Sequence, residues 1–173
     1  EDAGDAQPLH LPNGDTLVAS VRLDDRHSLA AQLGCPPHVP DSELLAAAWL
    51  RWGADTPSHL TGDFAFAVWQ PRRQQLFCAR DHLGIRSLYY TATPALFAFA
   101  TLPRALPVPR ALNQDSLAAS LAYFPEPPQG TVFRNVLRLP SGHSLTASPE
   151  GVRLTRYWRP EDAPAVRLPN DEA

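Results

Sequence analysis

Apolar and polar positions along the chain fall into short blocks of two different periods. Leu17-Val18-Ala19-Ser20-Val21-Arg22-Leu23 alternates with period two and predicts a strand. From Arg26 to Leu33 the period lengthens: Leu29, Ala30 and Leu33 share one helical face, and Gly34 stands where a C′ residue would end the helix. The preceding Asp24-Asp25 pair reads as helix capping, with metal binding as the alternative. A second helix starts at Asp41, a capping residue, carries Leu44, Leu45, Ala48, Trp49 and Trp52 as an apolar stripe, and stops at Gly53. Glu43 and Arg51 suit the positive and negative ends of its dipole.

Gly62 to Tyr90 is the most informative stretch. Phe64 to Trp69 and Leu76 to Ala79 are rich in β-formers and flank Pro71-Arg72-Arg73-Gln74, which predicts an antiparallel hairpin. Small alanines between the large aromatics predict a strand covered on both faces, with a second layer close against it. Beyond it, Leu96 to Ala100 reads as a strand, and Pro103 to Pro109 as a surface connection. A helix beginning at Asn113 or Asp115 runs through Leu117, Ala118, Leu121 and Ala122, ending before Pro125. After Val132-Phe133 and Val136 to Leu139, a closing hairpin of His143 to Ala147 with Val152 to Trp158 turns at Pro149-Glu150-Gly151. Residues 1 to 15 give no periodic signal and read as irregular. Strands on either side of a helix pair make an α+β class with mostly antiparallel sheets.

Composition narrows the chemistry. The chain has 173 residues, 44% of them hydrophobic, enough for one domain with a core. Net charge is -3 and all 15 cations are arginine, so no lysine chemistry resides here and no basic field gathers nucleic acid. Two cysteines, Cys35 and Cys78, are too few for a disulfide scaffold, and no apolar run approaches membrane-spanning length. No nucleic acid and no membrane are therefore expected as partners, and a cytoplasmic location is the default.

Gly62-Asp63-Phe64-Ala65-Phe66-Ala67-Val68-Trp69, Ala79-Arg80-Asp81-His82-Leu83-Gly84-Ile85-Arg86, Leu88-Tyr89-Tyr90, Leu139-Pro140-Ser141-Gly142-His143 and Arg156-Tyr157-Trp158 occur in an order that resembles one family. It is the class II glutamine amidotransferase-like domain of glutamine-hydrolysing asparagine synthetases, with their β-lactam synthetase and lasso-peptide cyclase relatives. The resemblance covers Leu17 to Trp158 and implies a four-layer αββα sandwich of the Ntn hydrolase type, its amino-terminal portion missing here. It implies a domain over 1–159 and a linker, 160–173, toward an absent ATP-dependent synthetase domain.

The resemblance also assigns roles. In the family an amino-terminal cysteine attacks the glutamine amide, its own α-amino group acting as base. Residue 1 here is Glu1, so no catalytic residue is expected in this chain, and the arginine that holds the glutamine carboxylate would lie upstream. The family's Asn-Gly pair, which helps form the oxyanion hole, corresponds to Ser20-Val21, a shorter donor followed by a side chain where backbone must approach substrate. Asp41 corresponds to the aspartate that binds the substrate α-ammonium, although helix capping explains it fully and is the favoured reading. Arg80 and Asp81 read as an ion pair pinning the loop before Gly84, with catalysis the lesser alternative. His10, His27, His38, His59 and His143 lack ligand spacing, so no metal site is expected.

The expectation is thus the amidotransferase-like domain of an ATP-dependent amide-forming enzyme, degenerate and without glutaminase activity. Two alternatives stand beside it: an active glutaminase supplying ammonia for asparagine synthesis, and a non-catalytic packing or peptide-binding module. No cofactor is expected in this chain, while ATP and Mg belong to the absent synthetase domain. Glutamine, that carboxyl-terminal synthetase domain and a second copy in a homodimer are the partners considered.

Overall fold

The computed structural model describes residues 6–109, 111–124 and 127–162, which form nine strands and three α-helices. In chain order these are β1 (Leu9–His10), β2 (Thr16–Leu23), α1 (Arg26–Leu33), α2 (Asp41–Trp52), β3 (Gly62–Gln70), β4 (Gln75–Arg80), β5 (Tyr89–Thr93), β6 (Leu96–Ala100), α3 (Gln114–Leu121), β7 (Leu137–Arg138), β8 (His143–Ser148) and β9 (Gly151–Arg156). A six-stranded sheet has the order β1-β2-β3-β4-β8-β9 and a three-stranded sheet the order β6-β5-β7. Every pairing is antiparallel.

The alternation within β3 determines how the layers stack. Phe64, Phe66 and Val68 point to one face, where they join Leu17, Phe77 and the helix residues Leu44, Leu45 and Trp49 in one core. Ala65 and Ala67 point to the other face, where with Cys78 and Leu145 they meet Leu88, Tyr90 and Leu139 in a second core. Large side chains on the helix side fill the gap a cylinder leaves over a sheet; alanines on the other side let the second sheet come close. Each fully buried Phe or Leu contributes about 1.5–3 kcal/mol. The α+β class, the stacked antiparallel sheets and the doubly covered strand agree with the sequence reading.

Trp49 anchors α2. Its ring lies 5.1 Å from Phe77 and 6.4 Å from Phe66, and its Nε1 donates to Asp15 Oδ2 at 2.9 Å. Buried Asp15 also accepts from Asn13 Nδ2 at 2.8 Å, so this carboxylate is met from two sides. Gly34 ends α1 at φ 68°, the left-handed geometry expected of it.

Other expectations need correction. Asp25 occupies the N-cap of α1 without a side-chain capping bond, because its ψ of 47° lies outside the extended region that aims a cap. Asp24 turns back to Arg22 instead. Asp41 is the first residue inside α2, after Pro40 at the N-cap, and makes no cap. Leu9–His10 within the supposedly irregular entry forms a two-residue strand beside Leu17 and Thr16, too short for periodicity to register. Tyr89–Thr93 is a strand that Thr91-Ala92-Thr93 disguised. α3 forms as expected, with Asn113 Oδ1 accepting from Ser116 N at 3.4 Å, yet none of its residues is buried. The segment read as a linker, 160–173, is described only to Asp162, where Pro160–Asp162 make one tight turn; its remainder lies outside the described residues.

Close approach of the sheets makes a prediction. Ala67→Leu should lower unfolding free energy by roughly 1–3 kcal/mol through overpacking, seen as a lower urea midpoint at unchanged slope. An unaltered midpoint would mean that the sheets do not touch there.

Candidate functional site

The five residues singled out from the sequence converge on one end of the central strands. Ser20 pairs with Ala65 and Ala65 with Arg80, so the three stand in one row across β2, β3 and β4. Val21 pairs with Phe64, whose carbonyl accepts the amide of Asp81 at 2.8 Å. Period two then separates the expected pair: Val21 packs on the helix-side core, while Ser20 lines a cavity of about 170 Å³ between the sheets, with Val18, Ala67, Leu88 and Phe99. Gln7 closes that cavity as a strand substitute, its side chain both accepting from Ala19 N at 2.6 Å and donating to Ala19 O at 2.9 Å.

Asp41 reaches the same end from α2. Its Oδ2 accepts from Leu23 N at 2.9 Å, satisfying the last amide of β2. Its Oδ1 faces Arg26 Nε at 3.3 Å, an ion pair whose angle makes no hydrogen bond, so both buried atoms lack one. Arg26 donates in turn to Val39 O. Nothing in the sequence pattern announced Arg26 as the partner, because the contact depends on how α1 folds back over the start of α2.

Arg80 and Asp81 do not form the ion pair expected of them. The Arg80 guanidinium donates only to carbonyls: Nε to Arg86 O, Nη1 to Leu139 O and Nη2 to Gly84 O. Asp81 accepts from the amides of Ile85 and Arg86, each at 2.8 Å. Adjacent residues on a strand point to opposite faces, so the charges turn away from each other and each serves the loop's backbone. Gly84 sits at φ 73°, and a Cβ there would meet Arg80 Nη2 at 2.8 Å. Both side chains bond to the loop's backbone, Arg80 to carbonyls and Asp81 to amides, in place of the expected pairing with each other. Burial lowers the Arg80 pKa from its ordinary value, more strongly than Asp81 raises it.

Three rings surround His82 edge-on: Trp158 at 5.2 Å, Tyr157 at 5.4 Å and Phe64 at 6.0 Å. The Tyr157 hydroxyl donates to Arg80 O, and burial pushes its pKa far up, so it stays protonated. Burial likewise pushes the Cys78 thiol well up, which removes it as a nucleophile. Beside His82 opens a second cavity of about 500 Å³, bounded by Asp24, Asp63, Asp81, Leu83, Ile85 and Trp158. Arg22 bridges Asp24 and Asp63 at its edge. Among the described residues no group of three His, Cys, Asp or Glu side chains is placed to hold a metal ion.

Burial lowers the His82 pKa below 6.5, against the opposing pull of Asp81. The folded chain thus binds this proton more weakly than the unfolded one. Stability is complete above the unfolded value and is lost as pH falls through and below it. His82→Phe should flatten this dependence: its urea midpoint should fall less than the wild type's between pH 7 and roughly pH 5. Equal slopes would remove His82 from the effect.

Arg80→Lys leaves at least one of three carbonyls unmet and should cost about 2 kcal/mol or more in unfolding free energy. Full stability in this variant would contradict the carbonyl clamp.

Residues 26–158 match the family described as the glutamine amidotransferase domain. Asparagine synthetase [glutamine-hydrolyzing] 3 of Bacillus subtilis is 30% identical over 91% of this chain, and amidase chyE of Penicillium rubens 44% identical over 88%. The chain spans only 28% and 23% of those proteins. Among solved structures, glutamine phosphoribosylpyrophosphate amidotransferase from B. subtilis superposes with a TM-score of 0.60 over 89% of this chain and 32% of that one, at 19% identity. A glutamine aminotransferase class-II domain protein from Silicibacter pomeroyi gives 0.56 over 90% of this chain and 72% of that one, at 16% identity. With its stacked antiparallel sheets and the ordered phrases along them, the chain belongs to the glutamine amidotransferase domain family and is a homologue of the amino-terminal domain of asparagine synthetases.

Proposed function

We propose that this is the amidotransferase-like domain of an ATP-dependent amide-forming enzyme, and that it no longer hydrolyses glutamine. The observation that carries the reading is the state of Asp41. The carboxylate that the resemblance assigns to a substrate α-ammonium already receives the Leu23 amide and faces the Arg26 guanidinium at 3.3 Å. A second cation brought there would be repelled by Arg26 at short range in a partly desolvated place. Ser20 and Val21 support the same reading. Val21 is committed to the helix-side core, and Ser20 offers a hydroxyl to a narrow apolar cavity rather than an amide to a developing oxyanion.

One observation favours the alternative of an active glutaminase. Asp41 Oδ1 is buried without a hydrogen bond, so acceptor capacity remains at that atom. The ion pair with Arg26 outweighs it, because a lone pair can be left to an ordered water while a neighbouring guanidinium cannot be discharged. The similarity to amidase chyE supports the view that domains of this kind accompany more than one amide chemistry.

Glutamate release, with and without ATP, in the protein that carries this domain in its natural chain tests the reading. Release should stay at the spontaneous background in both conditions, while ATP is consumed once a suitable carboxylate is supplied. Clear release would overturn the proposal. The paired change Ser20→Asn with Val21→Gly, in a chain beginning with cysteine, should raise glutaminase activity, and no gain would sink the account of these two positions.

A further inference from the structure

The loop 82–86 presents an unusual combination of rigidity and apolar exposure. Leu83 and Ile85 are 71% and 61% exposed. Yet the backbone that carries them is held by two Arg80 bonds to its carbonyls and two Asp81 bonds to its amides. Four hydrogen bonds thus fix the backbone from which both exposed side chains project. They stand at the rim of the 500 Å³ cavity, a size suited to a small ligand or a pair of peptide side chains.

The chemistry of the lining selects the occupant. The lining combines the apolar Leu60, Leu83, Ile85 and Trp158 with the carboxylates of Asp24 and Asp63 and the hydroxyls of Ser58 and Thr61. No arginine is among the residues that bound the cavity; Arg22 bonds to both Asp24 and Asp63, so one cation faces two carboxylates and a net negative charge is left, unlike the one-to-one pairing of Asp41 with Arg26. Asp81, at the base, adds a further carboxylate already occupied by amides. His82 in the wall has a lowered pKa, so it brings little positive charge to a site near neutral pH.

We infer that this cavity binds a short peptide segment in which a large aliphatic side chain stands next to a basic one. The aliphatic group covers Leu83, Ile85 and Trp158, and the cation faces Asp24 and Asp63. The open shape and the apolar ledge fit a segment of extended chain, and the carboxylates exclude an acidic one. This goes beyond the reading of the domain as an inactive amidotransferase and does not depend on it, since binding is read without any turnover.

The test is a titration of the isotopically labelled 173-residue chain with N-acetyl-Leu-Arg-amide, followed by NMR. The indole signal of Trp158 and the methyl signals of Leu83 and Ile85 should shift and saturate at millimolar peptide, more weakly as salt rises. N-acetyl-Leu-Glu-amide and N-acetyl-Gly-Arg-amide should bind about tenfold more weakly. The combined variant Asp24→Asn with Ile85→Ser alters only exposed side chains, so its unfolding midpoint should be retained while affinity falls about tenfold. Equal binding of the glutamate peptide, wild-type affinity in the folded variant, or no shift at these signals would each overturn the proposal.

Discussion

A guanidinium buried where two sheets meet is the constraint from which this end of the molecule follows. Arg80 closes β4, is 8% exposed, and cannot discharge, so every donor it buries must find an acceptor. Its acceptors are carbonyls of Gly84, Arg86 and Leu139. The first two lie in the loop that follows it; the third lies just past β7, in the second sheet's connection. One side chain therefore shapes its own loop and fastens the six-stranded sheet to the chain beside the three-stranded one. Because carbonyls satisfy the cation, Asp81 is left free to take amides, and the loop is gripped through both polarities of its backbone.

The grip extends to the closing hairpin. Gly142 N donates to Asp81 O at 2.9 Å, and Tyr157, just beyond β9, donates its hydroxyl to Arg80 O. His82 then has no room except between Phe64, Tyr157 and Trp158. Residues from four separate stretches are thus fixed relative to the ends of β2 and β3, where Asp41 and the Ser20-Val21 pair also lie. A change in Arg80 would be felt as a loss of this common frame, rather than as the loss of one contact.

How much of this could be read beforehand depended on the range of the interaction. The strand covered on both faces was visible in Phe64-Ala65-Phe66-Ala67, because side-chain volume alternates with the same period as the strand. Gly34 and Gly53 marked helix ends because a backbone requirement is written at the residue itself. Pairing across the chain was hidden. Arg80 and Asp81 look like partners when written side by side, but the pleat sends neighbours to opposite faces. Asp24 and Asp41 look like caps, but each carboxylate had another claim: Arg22, two residues away and itself tied to Asp63 across the sheet, for one, Leu23 N and Arg26 for the other. Local propensity worth about 1 kcal/mol for a cap gave way to an ion pair plus an otherwise unmet strand amide. α3 forms where its pattern placed it, and its exposure shows that an apolar stripe says that a helix can be covered and not that it is.

The atoms that hold the frame differ from the atoms that chemistry would use. Arg80, Asp81, Gly84 and Tyr157 act through backbone carbonyls and amides, and removing any of them leaves buried polar groups unmet. Ser20, Val21 and Asp41 act through side chains whose replacement leaves the strand ladder between β2 and β3 intact, because that ladder uses main-chain groups alone. Exchange at Ser20 therefore leaves the frame standing, exchange at Asp41 leaves the Leu23 amide without its acceptor, and exchange at Arg80 or Asp81 is costly in stability whatever the substrate. On these terms a domain can keep the ordered phrases of its family at full strength and still lose the reaction, and the phrases that made the fold legible are silent about activity for the same physical reason.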